Sequence, residues 1–186
     1  MAFSLVAMTA CAASVDHAPE PPAEISPVTL TLPASARDSI ATLSALASFT
    51  AHVDADTARM AVTQRQLELG AGATGTLTAW RAGTSWQRLH VQGEGIGFRT
   101  RDTYWLHDGA LVGARLELTR PDRPIRVDQV WFRGAELYRW IDADGRALAS
   151  DAQSTKSEVS TLRHRVNRIV QLLPSPDSAP ASSRRP

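Results

Sequence analysis

The chain's pattern predicts an α+β fold, an antiparallel meander of about six strands with one flanking helix on each side in sequence. Three observations lead there. Between Gly75 and Ile141, apolar and polar residues alternate in segments separated by turn signals. On either side of that region apolar residues recur at helical spacing instead. All five tryptophans lie inside the alternating region, as cross-strand packing favours.

The first helix is expected from Ala36 to His52. Ser35-x-x-Asp38 has the form of a capping box, and Ile40, Leu43, Leu46, Phe49 (or Ala47) and Val53 follow at helical intervals. In the stretch from Thr57 to Leu69, Met60, Val62 and Leu67 permit a helix. Gln64 to Leu69 nevertheless alternates like a strand and runs into Gly70-Ala71-Gly72, so its second half is read as extended.

Three hairpins follow. Thr76–Arg81 and Trp86–Gln92 flank Ala82-Gly83-Thr84-Ser85. Arg99–His107 and Ala110–Thr119 flank Asp108-Gly109, a strong two-residue hairpin signal, and Arg126–Phe132 and Glu136–Ile141 flank Arg133-Gly134. Tyr104 and Leu106 share one face, as do Val112, Ala114, Leu116 and Leu118. Arg99, Arg101, Thr103, Arg115 and Glu117 are expected on a solvated opposite face. Gly93-Glu94-Gly95-Ile96-Gly97 reads as a flexible connection, because its spacing is not that of a phosphate-binding loop.

A second capping box, Thr155-x-x-Glu158, introduces Val159, Leu162, Val166, Ile169 and Leu173 on one helix face. Arg163, Arg165 and Arg168 lie on the other, and Pro174 ends the helix. Both helices are expected to cover the apolar face of the sheet. The domain plan is then residues 1–10 as a signal peptide, 11–35 as a lipidated Pro-rich tether, 36–173 as the α+β domain and 174–186 as a disordered tail.

Composition narrows the functional classes. A formal net charge of +1 provides no global field toward nucleic acid, so no nucleic-acid partner is expected. Arginine supplies the basic residues except for Lys156, as genome composition alone would explain. The single cysteine excludes an intrachain disulfide framework and a Cys-rich zinc site.

That cysteine, Cys11, closes a short apolar segment holding Phe3, Leu5, Val6 and Met8, whose length suits the h-region of a signal peptide. Met8-Thr9-Ala10-Cys11 resembles the lipobox of bacterial lipoproteins. The resemblance implies lipidation of Cys11, cleavage before it, and a periplasm-facing, lipid-anchored place in the bacterial envelope. Ala12 and Ala13 after the cysteine favour the outer membrane under the same resemblance. From Ala12 to Ser35 the chain carries five prolines and no Lys or Arg, the composition of an extended spacer.

The segments "GTLTAWRAG", "RTRDTYWLHDGAL" and "RPIRVDQVWFRGAELYRWID" together resemble a group of uncharacterised bacterial exported proteins and lipoproteins. The matching residues are Thr103-Tyr104-Trp105, Asp108-Gly109-Ala110-Leu111, Arg123-Pro124-Ile125 and Arg139-Trp140-Ile141. These are turn and core residues, so the resemblance implies a shared fold and export rather than a reaction.

Chemistry-bearing clusters are sparse. His52, Asp54 and Asp56 offer one imidazole and two carboxylates, but a metal site needs convergent partners from elsewhere, and no metal or cofactor is expected. Asp142-x-Asp144-Gly145 begins like a calcium loop and lacks its later ligands, so a plain turn is expected. No catalytic residue is assigned. Aromatic and Arg residues together favour binding patches, which singles out Trp105, Arg101, Arg115 and Trp86 as the candidate binding face. The expectation is a non-enzymatic binding or accessory lipoprotein, with an envelope protein or the membrane as partner. The alternatives are a carrier of lipid or another apolar ligand and, behind it, a hydrolase or metal enzyme.

Overall fold

In the computed structural model, residues 25–33, 39–70 and 73–175 are described. Helix α1 (Ser39–Asp56) leads through a single 3-10 turn (Thr57–Arg59) into β1 (Ala61–Gly70). Then come β2 (Ala73–Ala82), β3 (Ser85–Gly95), β4 (Phe98–His107), β5 (Ala110–Thr119), β6 (Arg126–Arg133), β7 (Glu136–Ile141) and helix α2 (Gln153–Gln171). The strands form one antiparallel sheet in chain order, a meander of seven rather than six. The additional strand is β1, which pairs with β2 from Ala61 onward, so the extended segment starts earlier than the alternation from Gln64 suggests.

The turns follow the local chemistry. Asp108 and Gly109 both have positive φ, 50° and 75°, as a two-residue hairpin turn of right-handed strands requires. Asp142 accepts the main-chain N–H groups of Asp144 and Arg146 at 3.0 and 2.9 Å, the plain turn expected there. Gly93 and Gly95 belong to β3 itself, not to a loose connection. A β-carbon on Gly93 would meet Leu69 at 2.6 Å, and one on Gly95 would meet the Phe98 ring at 2.5 Å.

Each helix covers a different face, which corrects the expectation that both lie on one. On the α2 side, Leu162, Val166, Ile169 and Leu173 pack with Leu77, Leu89, Tyr104, Leu106, Val130, Phe132 and Trp140. On the α1 side, Leu46, Phe49 and Val53 pack with Met60, Ala82, Trp105 and Val112. Adjacent residues such as Tyr104 and Trp105 thus serve opposite cores, and burial of both faces removes the simple inside–outside alternation.

The helix ends also differ from expectation. α1 runs on to Asp56, and the expected cap at Ser35 and Asp38 lies outside the described residues. Ile40 is 81% exposed because the buried stripe runs through Thr42, Leu46, Phe49 and Val53; a residue two positions from Thr42 is about 200° around the helix. α2 begins before Thr155, which is buried inside it, so Thr155 is no N-cap. Nor are its arginines simply solvated. Arg163 stands over the Phe132 ring at 4.8 Å and donates to the Ala135 carbonyl. Arg165 reaches Asp102 on β4 at 3.2 Å.

Three β-bulges lie in register with one another near one end of the sheet. Each places one extra residue, Gln87, Val112 or Tyr138, in the second strand of a hairpin. Val112 therefore leaves the face of Ala114 and Leu116 and joins the α1-side core. Residues 25–33, expected within the tether, lie on that same side. Ile25, Val28, Leu30 and Leu32 pack against it, and the buried Gln87 amide accepts from Val28 N and donates to Val28 O at 2.9 and 3.1 Å.

Candidate functional site: the polar half of the α1-side face

Strand register sorts the α1-side face into rows. Nearest the bulges runs a row of large residues, Trp80, Arg88, Trp105, Gly113 and Trp131. Gly113 is what permits this row: a β-carbon there would meet the Trp131 ring at 2.9 Å. Trp105 and Trp131 lie nearly parallel across it, with centroids 6.4 Å apart. Arg88 covers Trp80 at 4.5 Å, a cation–π contact.

The next row is Gln64, Thr78, His90, Thr103, Arg115 and Gln129. Beyond it stand Gln66, Thr76, Gln92, Arg101, Glu117 and Val127. Twelve positions on six strands thus present eleven hydrogen-bonding side chains, of which Thr103 alone is buried. His90 Nδ1 is 3.0 Å from Thr103 Oγ1, and its Nε2 is 3.1 Å from the Gln92 amide nitrogen. Since that amide nitrogen donates, Nε2 accepts, and Nδ1–H donates to Thr103. Burial, reinforced by Arg88 and Arg101, lowers the His90 pKa and keeps this neutral form. Glu117, only 12% exposed, lies 3.1 Å from Arg115 and 4.0 Å from Arg101. One carboxylate between two guanidiniums leaves the centre of the face with a surplus positive charge.

Arg101 and Arg115 are therefore together and open to solvent. Trp105 and Trp86 are not beside them. Trp105 is 8% exposed under α1, where its indole N–H donates to Asp54 at 2.9 Å. The bulge at Gln87 takes Trp86 to the other side of the sheet, against the α2-side core. Sequence alternation found the two arginines and missed His90, Gln92 and Gln66. Those residues gain significance only through strand register.

Asp54, a residue of the ligand-like cluster, is held by Trp105 and by Arg88, whose Nε is 2.9 Å away. Asp56 pairs with Arg59, and His52 is exposed. Among the described residues no group of three or more His, Cys, Asp or Glu side chains is arranged to hold a metal ion. Cys11 lies outside the described residues.

The opposite face holds two buried carboxylates that the sequence reading did not single out. Asp102 and Asp128 flank Leu116 across β4, β5 and β6. Asp102 accepts from Tyr104 Oη and Arg165 Nη1 at 3.1 and 3.2 Å, and Asp128 accepts from Arg126 and from the Trp140 indole. Each carboxylate is matched to its donors, which is how a buried acid is accommodated. Their visible work is to hold α2 and β7 in place.

Comparison with protein-family models, curated proteins and solved structures finds no match to this chain.

Proposed function

We propose that this chain is a lipid-anchored envelope protein that works as a non-enzymatic binding module. Its binding surface is the polar half of the α1-side face, centred on His90, Arg101 and Arg115. The observation that carries this reading is the pair of adjacent polar rows on six strands, with side chains left open beside a face otherwise covered by α1. A ligand with several polar and some anionic groups suits that chemistry, since arginine forks recognise carboxylate and phosphate and Gln and Thr supply both donors and acceptors. Attachment through Cys11 is supported by the lipobox-like residues Met8 to Cys11 and places the module at a bacterial membrane, facing the periplasm.

The carrier alternative finds no support in the packing, because Tyr104, Phe132 and Leu162 are 0%, 1% and 3% exposed and occupy the interior themselves. The hydrolase or metal-enzyme alternative finds none in His52, Asp54 and Asp56, whose arrangement is given above.

Two experiments test the proposal separately. For the anchor, Cys11→Ala should move the expressed protein from the membrane to the soluble fraction and abolish labelling by radioactive palmitate; unchanged fractionation refutes it. For the binding face, wild type and an Arg101→Glu/Arg115→Glu variant are used as bait in envelope extract. A ligand retained by wild type and lost from an equally stable variant supports the reading, and equal capture by both refutes it.

A further inference from the structure

We propose that the end of the sheet remote from α1 is a docking tip for a bilayer surface bearing anionic lipid. Two connections form it: the β3–β4 turn at Ile96-Gly97, and the segment from Arg120 to Ile125 between β5 and β6. They are neighbours, since Gly95, Gly97, Phe98, Thr119, Arg120 and Pro121 line one shallow depression of about 370 Å³. The inference does not rest on lipidation of Cys11.

Ile96 projects from the turn between two glycines and is fully exposed, and Ile125 is 59% exposed beside Pro124. Scattered surface isoleucines are ordinary. What sets these apart is that both cap the same end of the sheet, one of them at the apex of a two-residue turn. A protruding side chain cannot bury itself against a flat protein surface without a matching socket, but it can enter the soft boundary between lipid head groups and acyl chains.

The charge around the tip fits an anionic surface. Arg99 is tied to Glu94 and Arg126 to Asp128. Arg120 and Arg123 form no salt bridge among the described residues, and Asp122 between them is the one acid of that connection. Arginines around an apolar tip can remain at the level of lipid phosphates while the isoleucines go deeper.

The test uses the full chain carrying Cys11→Ser, so that no acyl chain contributes, in co-sedimentation with vesicles of phosphatidylcholine alone or mixed with phosphatidylglycerol. Binding is expected to the mixed vesicles and to weaken with added salt. Arg120→Gln/Arg123→Gln should weaken it by about fivefold per arginine, about 25-fold for the pair. Ile96→Asp should weaken it by about tenfold or more. Ile40→Asp, at an equally open isoleucine on α1, should bind like the parent. Each of these sites is exposed, so thermal melts should coincide. Failure of the parent to sediment with mixed vesicles overturns the proposal. So does full binding by Ile96→Asp, or equal loss in Ile40→Asp.

Discussion

Gln87 holds the main chain of Val28 in both directions, accepting its N–H at 2.9 Å and donating to its carbonyl at 3.1 Å. The side-chain amide does what a neighbouring strand would do, and it reaches that position because Gln87 is the extra residue of a bulge. The consequence is that residues 25–33 are fastened across the α1-side core rather than left as spacer.

Replacing Gln87 by Ala should therefore cost about 2 kcal/mol, since it leaves two main-chain groups of Val28 without partners in a half-buried setting. Urea unfolding measures the loss. Limited proteolysis should also show faster cleavage between residues 25 and 33. Unchanged stability with unchanged cleavage would mean that the clamp contributes nothing.

Trp105 and Asp54 join β4 to the last turn of α1. Trp105→Phe keeps most of the ring volume and removes the N–H donor, so the expected loss is about 1 kcal/mol. Trp105→Ala also opens a cavity beside Trp131 and should cost about 3–5 kcal/mol. A loss as large in the Phe variant as in the Ala variant would show that the indole hydrogen bond, not packing, dominates.

Asp102 makes a pH-dependent prediction. Burial raises its pKa above the ordinary carboxylate range, outweighing the opposing effects of Arg165 and the Tyr104 hydroxyl. The folded chain thus keeps this proton at pH values where the unfolded chain has released it. The stability contributed by this group is full in acid, declines as pH rises above the usual Asp range, and is lost beyond the raised pKa. Asp102→Asn removes that dependence while an amide oxygen still accepts from Tyr104 and Arg165. Unfolding midpoints measured across the acid range should move in the variant's favour as pH rises; parallel curves would contradict the assignment.

Phe132 and Leu162 fill the space that an apolar-ligand carrier would need to keep open. Leu162→Ala should cost about 2–5 kcal/mol through the cavity it leaves. The wild type should not enhance the fluorescence of an apolar naphthylamine dye, whereas the Leu162→Ala chain has room to take it up. Saturable dye uptake by the wild type would restore the carrier reading.

The sequence by itself determined the local elements: the three hairpins, the turn at Asp108-Gly109, the two helices and most of their apolar stripes. Turn chemistry and periodicity are properties of short segments, so they are legible without the rest of the chain. Arg101 and Arg115 were legible as neighbours on one face for the same reason. Only the tertiary structure decided which helix covers which face, because alternation distinguishes two sides without saying what packs on either. It also decided the fate of Trp105, whose partner Asp54 lies 51 residues away, and of Trp86 and Val112, which bulges carry to the opposite side from their simple parity. Each of these outcomes depends on register or on long-range packing, and a single inserted residue in a strand reverses every side-chain direction beyond it.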